Sequence, residues 1–177
     1  MSFEAPDGGV MAIMAKAWAE DVKFSPNDKF ADEKGNLNNY RTSNVRRILS
    51  ALANAVFDRK SLLSHTVDLV ADNGDRAYGA VEDLVFILTC DEYRKYREFI
   101  PHYDSWIWTA TPWYCGYEDS DTGCGAAMVR SVDSVDIGGL FGCVGACING
   151  AVAPACILNP KFLNLRQGMT YVEEVSE

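Results

Sequence analysis

Between residues 45 and 56 the apolar side chains fall at Val45, Ile48, Leu49, Leu52, Ala53 and Val56. That spacing lines one face of an α-helix, and a strand with a two-residue period cannot gather it on one side. Thr42-Ser43-Asn44 stands just before it and offers an N-cap oxygen. The segment predicts a helix from about 44 to 57, with Arg46, Arg47 and Ser50 on the opposite side. Such a stripe must be buried against another element.

Val10 to Trp18 is apolar on both faces, which predicts a buried element, either a strand or a short helix. Phe24 to Asn39 reads as a loop, with Ser25-Pro26-Asn27-Asp28, Gly35, Asn36, Asn38 and Asn39 as turn formers. His65 to Val70 has strand composition and runs into the turn Asp72-Asn73-Gly74-Asp75. Leu84 to Leu88 is a continuous apolar run, expected as a buried strand. Thr89 followed by Glu92 is a capping box, predicting a short helix over 90–99 with Tyr93, Tyr96 and Phe99 or Ile100 on one face.

Further along, Trp106 to Thr111 predicts a strand ending at Pro112, and 113–125 a loop. Strands are expected at 126–132 and 135–137. The five glycines of 138–150 suit tight turns or close packing. Val152 to Leu158 reads as a last core strand, with Pro154 favouring an edge or a bulge. Residues 161–177 form an acidic-ended tail. Helices early and strands late give an α+β class for one domain over 1–177, with its core at about 10–160.

The formal net charge is −9, which argues against direct, non-specific nucleic-acid binding, since that needs a basic footprint. Residues 1–100 carry 13 basic and 16 acidic side chains, and 101–177 carry 3 and 9. The second part is therefore charge-poor as well as acidic, which suits buried strands or a contact surface. The first nine residues carry acids where a secretory leader carries Lys or Arg, and no apolar run reaches membrane-span length. Export by the standard route is not expected.

Six cysteines (Cys90, Cys115, Cys124, Cys143, Cys147 and Cys156) lack the repeated short spacings of a zinc site. They are expected as free thiols, and no cofactor is expected. His65 and His102 are the only histidines. A catalytic role for His102 would need Cys115 or Cys124 folded beside it, and an ordinary hydrogen-bonded or surface histidine is the simpler expectation. Glu118, Asp119 and Asp121, like Asp72 to Asp75, offer loop oxygens to calcium, but without EF-hand spacing they read as solvated turns.

Trp106, Trp108, Trp113, Tyr114 and Tyr117 cluster in a short stretch. The first two are expected in the core. Trp113, Tyr114 and Tyr117 follow a proline and open a loop, so they are candidate contact residues, together with Glu118, Asp119, Asp121 and Phe141.

Three stretches taken together carry a family resemblance. They are Asn38 to Leu49, Asp83 to Tyr93, and Trp106 to Pro112 with Ala151 to Leu158. In order and spacing the set resembles a bacterial and phage family catalogued as domain of unknown function 6273. The resemblance implies a C-type-lectin-like or sulfatase-modifying-factor-like architecture, with short twisted antiparallel sheets, two helices and long loops. It further implies a role in ligand or receptor recognition and a phage or prophage origin, with the bacterial cytoplasm or a virion as the expected location. With no catalytic constellation in the residues, the first expectation is a non-enzymatic binding module or virion component that holds a protein or glycan with the loops at 113–125 and 138–150. Oligomerisation is left open. An intracellular inhibitor of a bacterial defence nuclease, acting through an acidic surface, is the second expectation, and an enzyme the third. Two family arginines are replaced here by Ala110 and Ala153.

Overall fold

The computed structural model describes residues 8–116, 128–132 and 141–162, with 128–132 and 141–144 described by backbone alone. In chain order the elements begin with β1 (Val10–Ile13), β2 (Ala19–Lys23), α1 (Asn44–Val56), β3 (Leu62–Leu63), β4 (His65–Asp68) and β5 (Ala80–Asp83). They continue with β6 (Val85–Phe86), α2 (Cys90–Lys95), β7 (Ile107–Pro112), β8 (Met128–Val132), β9 (Phe141–Gly145), β10 (Asn149–Val152) and β11 (Ala155–Leu158). The mixture of two short helices and several small sheets is α+β. Among the described residues no helix is long and apolar enough to cross a membrane.

α1 starts where the capping argument places it, because Ser43 Oγ accepts the Arg46 amide at 3.1 Å. Val45, Leu49 and Ala53 are buried and the helix lies over β6. Arg46 does not simply face solvent. Its guanidinium reaches across to Asp83, with Nε 3.0 and 2.9 Å from the two carboxylate oxygens. α2 opens on the capping box: Thr89 Oγ1 accepts the Glu92 amide, and Glu92 Oε2 accepts the Thr89 amide at 2.8 Å. It is shorter than the sequence predicts. It ends at Lys95, and a tighter turn at Arg97–Phe99 follows, with Tyr93, Tyr96 and Ile100 inside.

Sheet order is β1-β11-β3 with β6 also on β11, then β2-β10-β7-β8-β9, then the pair β4-β5. Among the described residues all pairings are antiparallel except β10 with β7. Two chain segments pass through both larger sheets. β1 pairs with β11 from Val10–Leu158 to Ile13–Ala155, and β2 pairs with β10 from Ala19–Val152 to Lys23–Asn149. Between the sheets the two segments stay joined, Met14 donating to the Pro154 carbonyl at 3.1 Å and Trp18 to that of Val152 at 2.9 Å. The ambiguous first element is thus a strand that crosses from one sheet to the other.

The same crossing corrects the expectation of one strand over 152–158. Proline has no N–H for a ladder, and the chain breaks at Ala153–Pro154. β11 is then the centre of its sheet, not an edge, and Ala155, Cys156 and Ile157 are all buried. In the Leu84–Leu88 run only Val85–Phe86 forms a strand, although Ile87 and Leu88 are also buried. Within the glycine-rich 138–150 stretch, the described residues supply β9 and the first half of β10 rather than turns alone. Gly150 serves close packing: a Cβ there would sit 2.3 Å from the Trp106 ring and 2.9 Å from Trp108 Nε1. The strand expected at 135–137 lies outside the described residues.

Phe24, Tyr40 and Trp108 fill the centre between α1 and the five-stranded sheet, each at most 1% exposed. Trp108 also donates from Nε1 to the Val22 carbonyl at 2.8 Å, so its one polar atom is satisfied. Trp106 is partly buried and meets Trp108 edge-on at 4.9 Å. Ala110 and Ala153 are both buried. Cys90, Cys115 and Cys156 are free thiols. Cys147 is disulfide-bonded, which corrects the expectation that all six would be free.

Candidate functional site

β7 is buried along its whole length and delivers the chain at Pro112 to a turn over Trp113 to Gly116. Short polar contacts from two other loops hold this turn. Asp72 donates its amide to the Pro112 carbonyl at 3.0 Å. Asn38 Nδ2 donates to the Tyr114 carbonyl at 2.8 Å. The Gly116 amide donates to Tyr78 Oη at 3.1 Å, and Tyr78 Oη donates to Asn38 Oδ1 at 2.6 Å. Cys115 Sγ lies 3.7 Å from the Asp75 carbonyl.

The sequence accounts for each anchor. Asn73 and Asp75 fold 72–77 by accepting the amides of Asp75 and Ala77, with Gly74 at φ 87°. Asp32 organises the other loop, accepting from the Lys34 and Asn36 amides and from the side chains of Asn36 and Asn39. Arg41 ties Tyr78 to that loop through the carbonyls of Tyr78 and Ala80, at 3.1 and 2.8 Å.

Burial pushes the Asp32 pKa up, but the hydrogen bonds from Asn39, Asn36 and Lys34 outweigh it and hold the carboxyl below its ordinary value. Burial, with the Asp32 charge nearby, pushes the Tyr78 phenol well up, so it stays protonated and keeps its donor. Burial likewise raises the Cys115 thiol, the opposite of what an activated nucleophile needs.

On this support Trp113 is 39% exposed and Tyr114 is half-buried. A cleft of about 480 Å³ opens beside them, walled by Asp32, Glu33, Arg41, Tyr78, Cys115 and Gly116. Tyr117, Glu118, Asp119 and Asp121 lie outside the described residues. Phe141 belongs to β9, where only the backbone is described.

His65 is buried, stacked on Phe86 at 4.3 Å, with Nε2 2.5 Å from Glu92 Oε1. It joins β4 to the cap of α2. His102 is exposed. A second cleft, of about 370 Å³, gathers Asp68, Asp72, Asp91 and Glu92 with Arg94. Among the described residues no group of three His, Cys, Asp or Glu side chains could hold a metal ion.

Asn38 and Tyr78 were not singled out from the sequence. The available signal was three asparagines at 36, 38 and 39, all of which are buried. Compared with known proteins, the chain matches no family model, no curated protein and no solved structure.

Proposed function

We propose that this chain is a recognition module of phage or prophage origin, of C-type-lectin-like architecture, which holds a glycan or protein of the bacterial surface. The contact surface is the turn Trp113–Gly116, continued by Tyr117, Glu118, Asp119 and Asp121 and by the 138–150 stretch with Phe141. One observation carries the reading. Trp113 keeps 39% of its surface exposed on a turn whose main chain is fixed at Pro112, Tyr114 and Gly116. A large ring carried on a fixed main chain can bind without ordering the backbone that bears it, and such rings dominate contact energetics. The phage or prophage origin rests on the motif resemblance.

The test is retention of the immobilised chain on fixed bacterial cells and on purified cell-wall polysaccharides, wild type against the double variant Trp113→Ala, Tyr114→Ala. The double variant is expected to weaken retention about 10-fold or more while its thermal transition stays put. Equal retention by the two proteins, or none by the wild type, overturns the reading. The inhibitor of a defence nuclease is the second reading, favoured by the net charge of −9 and the carboxylate-rich cleft at Asp68, Asp72, Asp91 and Glu92. It requires a complex with a basic nuclease that weakens steeply with salt.

A further inference from the structure

We infer that Tyr78 is a positioning residue for the contact turn, its hydroxyl joining the 32–42 loop to Gly116 and so fixing how Trp113 is presented. The inference rests on the reading of 113–116 as the contact surface. Tyr78 Oη donates to Asn38 Oδ1 at 2.6 Å and accepts from the Gly116 amide at 3.1 Å, while Asn38 Nδ2 returns to the Tyr114 carbonyl at 2.8 Å. These bonds close a ring through three segments that are distant in sequence.

The Tyr78–Asn38 bond is shielded from water, since Asn38 is fully buried and Tyr78 is 7% exposed. A hydrogen bond removed here is not replaced cheaply by solvent. Gly116 adopts φ 151°, a conformation open to glycine and rare for other residues. The backbone therefore has wide freedom at this position, and the Tyr78 tether restricts it. Tyr78 itself is set from its other end, because Arg41 holds the carbonyls of Tyr78 and Ala80.

The decisive variant is Tyr78→Phe, which keeps the buried ring and deletes only the hydroxyl. Amide hydrogen exchange at 114–116 needs no ligand and reads the lock directly. Roughly 5- to 30-fold faster exchange is expected there. Retention on the same cells and polysaccharides should fall in parallel. Thr89→Ala, which uncaps α2, is the control for general loss of stability, and it should leave both turn exchange and retention near wild type.

Unchanged exchange at 114–116 in Tyr78→Phe overturns the positioning role. So does equal loosening of the turn by Thr89→Ala. Faster exchange with undiminished retention overturns instead the assignment of the turn as the contact surface. Trp113→Ala tests that assignment independently of Tyr78.

Discussion

Asp32 shows how one carboxylate can govern a surface. Its two oxygens accept four hydrogen bonds of 2.9 to 3.0 Å, and these set the conformation of 32–39, from which Asn38 reaches the contact turn. Its folded pKa lies below the ordinary 3.8. Its contribution to stability is therefore fully present above that ordinary value and is lost as pH falls through the lower folded one. Asp32→Asn should cost about 1–3 kcal/mol at neutral pH, since an amide would face the amides of Asn36 and Asn39. It should also flatten the fall of stability as the pH drops below about 4. Urea midpoints at pH 7 and pH 3 check both, and an acid limb identical to wild type would refute the assignment. At this scale the sequence was partly legible. Asparagines at 36, 38 and 39 announced a turn. Composition alone could not say that the turn is buried, because the partners of Asn38 lie 40 and 76 residues away.

Elements that depend on neighbouring residues were the most readable. α1 and the capping box of α2 follow from periodicity and a hydroxyl at the right position, and both are local. Elements defined by distant pairing were not. Pro154 was read as an edge or bulge, but the structure uses it as the corner between two sheets. The real irregularity lies on the facing strand. Between the pairs Gly150–Val22 and Val152–Ala19, Ala151 faces both Glu20 and Asp21, and Asp21 sits at φ 56°. A non-glycine residue there carries left-handed strain, eased in part because aspartate tolerates the conformation better than most. Asp21→Gly should therefore raise stability by about 0.5–1 kcal/mol, read as a higher urea midpoint at unchanged slope. A fall in the midpoint would show that the aspartate side chain stabilises the bulge.

Across the whole molecule, the segments 10–23 and 149–158 form one antiparallel ladder shared by both large sheets. Neither sheet keeps its order if that ladder opens, so the two should unfold together. Tryptophan fluorescence reports the sheet that holds Trp108, and amide exchange of β1 and β11 under increasing urea reports the other. Coincident midpoints are expected, and a resolved first transition in either sheet would contradict the shared ladder. The α+β class was legible in the sequence because it needs only the order of elements. The ladder was not, because Val10 and Leu158 reveal their pairing only in three dimensions. One mechanical consequence follows from that register. Val10 and Leu158 lie side by side at the open end of the ladder, so a pull applied between them loads one pair of bonds at a time instead of shearing many together. Tension at these two points would peel the β1–β11 ladder apart at low force, however stable the fold is to heat.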